Sequence, residues 1–471
     1  MVLKGFFIKN FFKISFGSFI AQCLQFFVWL IAVKYYTPED FGVYAVYTTW
    51  LGLLSVVSTG KYEMSIMAAK NRIEAKNLYC VAVSCVILVS LMIFIIGVIS
   101  NWLGLLCAES IIFVIFPFHL LCSGLQTATQ YWFNRIVYFN GIAYMRVQQA
   151  LVTSILMILL GLNGVTLGLI FSAFCGTVVP LLYIGYCYRQ RLINIQGVTI
   201  KRLFVMLIKY KNFPKRSMVA SLCNTFSATM ENLYMPFVFP AASVGNYYFS
   251  NRLTGAISTY SAGNIWQVFI SKVAGQKKNV ILKNVKEYQR WLLCLTMLPF
   301  FSMIAMAGQL WNVIFDNRWQ DAYVFFVIGS VFVFVNIIVT SFSLFVVLNM
   351  PAKELEFNIA LFVVKLLGIL IAKALSFDLI HTILIADCLL MIVYIYMGCW
   401  NYWVLGEKRR YLFYLVGTEL KHQVGYVAVM CCGMFFVNAW YQGVLLIAIV
   451  NLCYMYKVYK TKNEVIDEIG C

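Results

Sequence analysis

The sequence predicts an all-α polytopic membrane protein, and three observations predict it. Of its 471 residues, 62% are apolar and only 11% are charged, with mean hydropathy +0.83. A soluble chain of this size is about a quarter charged, so too few polar groups exist here to cover a water-facing surface. Apolar runs of the roughly 20 residues needed to cross hydrocarbon recur from end to end. The basic residues, thirdly, cluster in alternate connections between those runs. A transmembrane barrel would need strands of about ten residues with alternating polarity; the runs here are longer and apolar on both faces.

The expected spans fall near 13–34, 40–60, 78–99, 106–128, 140–161, 164–187, 214–236, 243–268, 289–313, 322–347, 357–375, 379–400, 424–438 and 441–457. The last two are short for a full crossing. The basic, then apolar, N-terminus lacks a small-residue cleavage site and reads as a retained first span rather than a signal peptide. If the N-terminus and every second loop after it are cytoplasmic, those segments hold all but five of the 36 Lys and Arg residues. The five exceptions are Lys34, Arg252, Arg318, Lys365 and Lys373. By the positive-inside rule both termini are expected in the cytoplasm. The net charge of +18 is then topology and contact with anionic lipid, with no nucleic-acid partner implied. The longest hydrophilic stretch, 188–213, reads as a basic cytoplasmic linker. The 15 cysteines lie mostly inside apolar runs without C-x-x-C or Cys/His spacing, as small apolar residues do.

The stretch TPEDFGVY, 37–44, opens the second span. Thr37 is placed to cap it, Pro38 suits the first helical position, and Asp40 falls where a capping box needs its acid. Internal repetition begins at the same place. FGVYAVYTTWL at 41–51 matches VGNYYFSNRLT at 244–254, with Gly42 on Gly245 and Tyr44 on Tyr247, at an offset of 203. Without a gap, the same offset carries Ser55, Ser58 and Gly60 onto Ser258, Ser261 and Gly263, and Lys13 onto Arg216. Spans 1–6 and 7–12 therefore read as two copies. Six is even, so both enter the membrane in the same direction, a parallel repeat about an axis along the membrane normal. The expected organisation is an N-lobe over 1–187, the linker over 188–213, a C-lobe over 214–400, and two extra C-terminal helices with a tail over 401–471. The small residues Ser55, Ser58 and Gly60 are expected where helices approach closely.

Several of these segments resemble one family. YYTPEDFGVYAVYTTWLGLLSVVSTGKYEMSIM from Tyr35, YWFNRIVYFNGIAYMRVQQALVTSIL at 131–156, FPKRSMVASLCNTFSA at 213–228 and VGNYYFSNRLTGAISTYSAGNIWQVFISKVA at 244–274 are similar to polysaccharide flippases of the O-antigen type, within the MATE-like exporter superfamily. The resemblance covers roughly 10–400, with Lys61 where that family more often has arginine. It implies a MATE-like pair of six-helix lobes. It also implies a non-enzymatic task, moving an oligosaccharide on undecaprenyl pyrophosphate from the inner to the outer leaflet of a bacterial inner membrane by alternating access. A sugar cannot cross hydrocarbon unaided, since each unpaired polar group costs several kcal/mol there. The implied partners are the lipid-linked oligosaccharide, membrane lipids, H+ or Na+ as coupling ion, and other glycan assembly proteins. No cofactor and no metal are expected.

Against that task the intramembrane charges are the candidate residues. Arg252 in span 8 suits bidentate phosphate contact, or snorkels to the surface. Arg146 and Arg135 either attract the pyrophosphate or anchor their helices at the cytoplasmic boundary. Glu231 in span 7, near Asn224 and Asn232, either carries the coupling ion or pairs with Arg252. Lys365 and Asp387, opposite charges on neighbouring spans, read as a structural ion pair. Lys61 and Glu63 read as a local pair and Lys34 as a snorkelling interfacial residue. His119 and His381 have no companions at metal-ligand spacing. Pro117, Pro180 and Pro299 fall inside spans and permit bending. Two other functions compete: a drug or small-cation exporter of the same fold, which would favour an acidic cavity, and a membrane oligosaccharide polymerase or glycosyltransferase, which would need a sizeable hydrophilic loop.

Overall fold

The computed structural model describes residues 21, 24–104, 110–187, 198–255, 276–340, 344–345, 348, 350–435 and 440–469. Every regular element among them is helical. A first helix, α1, covers 24–32. Then follow α2 (Pro38–Ser58), α3 (Tyr62–Ala68), α4 (Arg72–Trp102), α5 (Ser110–Arg135), α6 (Phe139–Leu162), α7 (Gly168–Cys187), α8 (Ile200–Lys209) and α9 (Val219–Tyr234). Helix α10 covers 241–255. The rest are α11 (Lys278–Ile314), α12 (Gln320–Thr340), α13 (Pro351–Ala374), α14 (Leu379–Val404), α15 (Tyr411–Phe435) and α16 (Trp440–Ile469). Among the described residues, nine helices are long and apolar enough to cross a membrane. The chain divides into two compact units, Met1–Tyr248 and Phe249–Cys471.

In the first unit α2 begins as its sequence dictates. Thr37 accepts from the backbone N–H of Asp40, and the Asp40 carboxylate accepts from that of Thr37 at 2.9 Å, with Pro38 at the first position. Such a cap contributes about 1 kcal/mol. The chain then breaks after Ser58, because Gly60 and Lys61 both take left-handed backbone, at φ 56° and 59°. Gly60 is thus a turn residue and not the close-packing one expected from the repeat. Ser58 does pack, fully buried at the crossing where α5 presents Gly124. In lipid there is no hydrophobic drive between helices, and such small-residue contacts carry the association.

The repeat-related glycines meet. A Cβ on Gly42 would run into the carbonyl of Ala241, and a Cβ on Gly245 into the carbonyl of Pro38. Residues 38 and 42, shifted by 203, are 241 and 245, so each helix touches the other through corresponding positions. Just beyond, the rings of Tyr44 and Tyr248 meet edge-on at 5.8 Å, and the Thr48 and Tyr248 hydroxyls are hydrogen-bonded at 3.3 Å. The second part of the matched register, 258–263, lies outside the described residues, as does Lys13.

The segment read as a plain linker contains α8, whose Leu203, Met206 and Leu207 pack on a core of Tyr62, Leu78, Trp132 and Met145. Ile200, Phe204 and Ile208, on the adjoining part of its apolar face, are exposed beside Lys201 and Arg202. An apolar face flanked by basic residues is the pattern of a helix lying in a membrane surface.

In the second unit Phe249 sits among Trp311, Phe315 and Trp319, the nearest ring centroid 4.9 Å away. Gln289 ties three helices, donating to Ile338 O at 3.1 Å and accepting from the Tyr402 hydroxyl at 2.5 Å. At the α14–α15 turn Lys286 bonds Glu407, which holds that carboxyl below its ordinary range, and lies 4.3 Å from the Tyr411 ring. The last two expected spans, read as short for a full crossing, fall on helices of 25 and 30 residues, neither of which is among the nine long and apolar enough to cross. Helix α15 begins at Tyr411, well before the expected start of its span at 424, and so takes in Glu419 and Lys421. Glu419 is buried against α11, accepting from Arg290 Nε at 2.8 Å and from the Cys294 thiol at 3.0 Å. Gln423 adds a bond to the Tyr454 hydroxyl at 2.9 Å, and Asn451 one to Ser302 at 2.9 Å. Arg290→Ala strands a buried carboxylate. It is expected to lower stability by about 2 kcal/mol, below the range for fully buried pairs because the guanidinium is solvated. Thermal unfolding in detergent checks this, and adding Glu419→Gln should recover part of the loss.

Candidate functional site

The break at Gly60–Lys61 turns Tyr62 and Glu63 into the first unit. The Tyr62 hydroxyl donates to Leu207 O at 3.1 Å, fastening α3 to α8. Glu63 is buried, with Lys61 Nζ 3.8 Å from one oxygen. This is the expected local pair, at long range. Glu74, in the first turn of α4, accepts from the Lys70 N–H at 2.8 Å and pairs with Lys209. Arg135, at the end of α5, donates to Met67 O at 3.2 Å and Ala69 O at 2.8 Å. Its guanidinium thereby satisfies the open carbonyls where α3 ends. A pocket of about 400 Å³ lies at this corner, lined by Arg72, Trp132, Arg135 and Ile136. A second pocket, of about 480 Å³, lies between α2, α4 and α5 and is lined by apolar groups such as Val46, Trp50, Ile93 and Phe116.

The other candidates are distributed over both units. Arg146 is exposed on α6, between the buried Met145 and Ala150. Glu231 is 2% exposed on α9, beside the buried Ser227 and Asn232, on a helix that packs against α2. Arg252 is exposed on α10, seven residues and so two turns beyond Gly245 on the same face. Lys365 and Asp387 are both buried, on the packed neighbours α13 and α14. The two helices approach closely at their level, since a Cβ on Gly368 would stand 3.1 Å from the Cα of Ala386. Lys34 is exposed at the end of the first hairpin.

Polar groups inside apolar runs form links that residue-by-residue reading missed. His119 joins α2, α5 and α7, with the Tyr47 hydroxyl 2.9 Å from Nδ1 and Thr177 Oγ1 3.0 Å from Nε2. Thr177 already donates to Ala173 O. It therefore accepts from His119, which places the imidazole proton on Nε2 and leaves Nδ1 to accept from Tyr47. Gln126 donates to Gln149 at 2.9 Å, joining α5 to α6. His381 pairs with Asp378, the cap of α14. Among the described residues no three metal-ligating side chains converge.

A family model described as polysaccharide biosynthesis protein matches residues 12–324. This chain belongs to that family. The matched range takes in α2, α9, α10 and all the arginine candidates of this polysaccharide biosynthesis protein. No curated protein matches it. Its fold is that of known transporters. The lipid II flippase MurJ in an inward closed conformation aligns at TM-score 0.74 and 13% identity, over 95% of this chain and 99% of that one. A crystal structure of MATE aligns at 0.55 and 13%, over 84% and 96%. A MOP-superfamily transporter from Pyrococcus furiosus aligns at 0.52 and 13%, over 84% and 95%. At such identities the likeness speaks for the fold alone.

Proposed function

We propose that this protein is a flippase carrying an oligosaccharide on undecaprenyl pyrophosphate from the inner to the outer leaflet of a bacterial inner membrane, with both termini in the cytoplasm. The observation that supports the reading is the family match over residues 12–324 of a chain whose fold resembles that of a lipid II flippase. Arg252 and Arg146 serve as phosphate ligands, Arg135 contributes its remaining N–H groups, and Glu231 carries the coupling ion. Lys365 and Asp387 form a structural pair inside the second unit. The protein catalyses no covalent step. Complementation of flippase-null bacteria with defined lipid-linked glycans tests the proposal. Restored surface glycan is expected, and failure with every glycan, alongside gained drug resistance, would reassign the protein to the drug exporters whose fold it shares.

Coupling has its own test. Glu231 is buried on α9, which packs against α2, and an intramembrane carboxylate is by default a functional candidate. Glu231→Gln keeps the shape and removes the charge. Transport by the variant is expected to fall at least tenfold and to lose its dependence on the ion gradient in proteoliposomes. Gradient-driven transport at the wild-type rate would remove Glu231 from the coupling route.

A further inference from the structure

The corner where α4 starts and α5 ends holds more positive charge than its packing uses. Glu74 is matched by Lys209 and the Lys70 N–H, and Glu63 has Lys61 3.8 Å from one oxygen. Arg135 spends two of its five N–H groups on Met67 and Ala69, which fix the guanidinium plane. Arg72, at the first position of α4, is exposed and forms no ion pair among the described residues. Between these two guanidinium groups lies the pocket of about 400 Å³, walled by the buried Trp132 and by Ile136. Two arginines and an indole suit a tetrahedral oxyanion attached to an apolar chain. The depth of the pocket in the membrane follows from α8, which packs on α4 and leaves Ile200, Phe204 and Ile208 uncovered beside Lys201 and Arg202. A helix of that pattern lies at headgroup level, so the pocket opens where lipid phosphates are.

We infer that the Arg72–Arg135–Trp132 pocket binds the phosphate of a membrane lipid in the leaflet that faces the basic loops. Basic pockets between spans on that side attract anionic headgroups. The chemistry is shared by a phospholipid diester and by a polyprenyl pyrophosphate, and the test separates them. It reads binding and not export, so it stands or falls apart from the transport reading.

The full-length protein, stripped of lipid in neutral detergent, is titrated with phosphatidylglycerol, phosphatidylcholine or a polyprenyl pyrophosphate, and retained lipid is counted by native mass spectrometry. Arg135→Ala would also open the end of α3, so Arg72→Gln is the main variant, with Arg318→Gln in the other unit as control. Wild type is expected to retain a phosphate lipid of net negative charge about tenfold over phosphatidylcholine, and Arg72→Gln to lose that preference while Arg318→Gln keeps it. Retention of phosphatidylglycerol that the polyprenyl pyrophosphate does not displace identifies a resident phospholipid. Preference for the pyrophosphate identifies the carrier lipid. Equal retention of all three lipids, an unchanged preference in Arg72→Gln, or displacement by inorganic phosphate alone at equal concentration would overturn the inference.

Discussion

Gly245→Val is expected to abolish accumulation of folded protein. A Cβ at this position would stand 2.7 Å from the carbonyl carbon of Pro38 and 2.9 Å from the Gly42 nitrogen, with the Pro38 oxygen nearer still. These are backbone atoms at the capped start of α2, and no rotamer change moves them. Overpacking against side chains costs about 1–3 kcal/mol; against backbone on both sides the helices must part instead. Parting them removes the Tyr44–Tyr248 edge contact and the Thr48–Tyr248 hydrogen bond as well. Gly42→Val is expected to act the same way, because its Cβ meets Ala241 in the reciprocal contact. Gly52→Ala is the control: nothing lies within 4 Å of its Cβ, and alanine raises helix propensity by about 1 kcal/mol. Detergent size-exclusion profiles and unfolding temperatures of the three variants decide the matter. A Gly245→Val protein with the wild-type profile would show that α2 and α10 do not touch there.

The start of α2 was legible because its cap is written in adjacent residues, and Thr37 with Asp40 needs no tertiary partner to form it. The contact at Gly42 and Gly245 was half legible. The repeat register pairs the two positions, but only the folded chain brings them face to face. Helix α8 carried a visible signal, apolar residues at 200, 203, 204, 207 and 208, which the reading of 188–213 by charge alone passed over. The break at Lys61 was not legible, since a left-handed lysine has no sequence signature. The site was less readable than the fold for one reason. A charge in an apolar run is costly only if nothing answers it, and the answers come from far along the chain: Arg290 for Glu419, Lys209 for Glu74, and two carbonyls of α3 for Arg135. Arg135 reads in the sequence as either a phosphate ligand or an anchor, and two of its donors are committed to packing. Arg72, two residues from a buried acid, drew no notice and lines the cationic pocket.

Arg252→Ala is expected to leave the protein inserted and folded while glycan export falls about a hundredfold. The side chain is exposed on α10, next to the buried Leu253 and Thr254 that pack the helix. An exposed substitution away from caps and cores changes stability by about 0.5 kcal/mol or less, so loss of fold is not the anticipated route. The face it occupies is the one that, two turns earlier, carries Gly245. On the proposed reading, the Arg252 guanidinium offers two parallel N–H groups to the pyrophosphate. Losing two charge-assisted hydrogen bonds of about 1.5 kcal/mol each corresponds to about 100-fold in rate if both are made in the transition state for translocation. Arg252→Lys keeps the charge without the fork and is expected to fall between the two. Surface glycan in complemented cells, normalised to protein in the membrane fraction, reads the effect. Export at the wild-type level by Arg252→Ala would place the phosphate ligand elsewhere and leave Arg252 as an anchoring residue of α10.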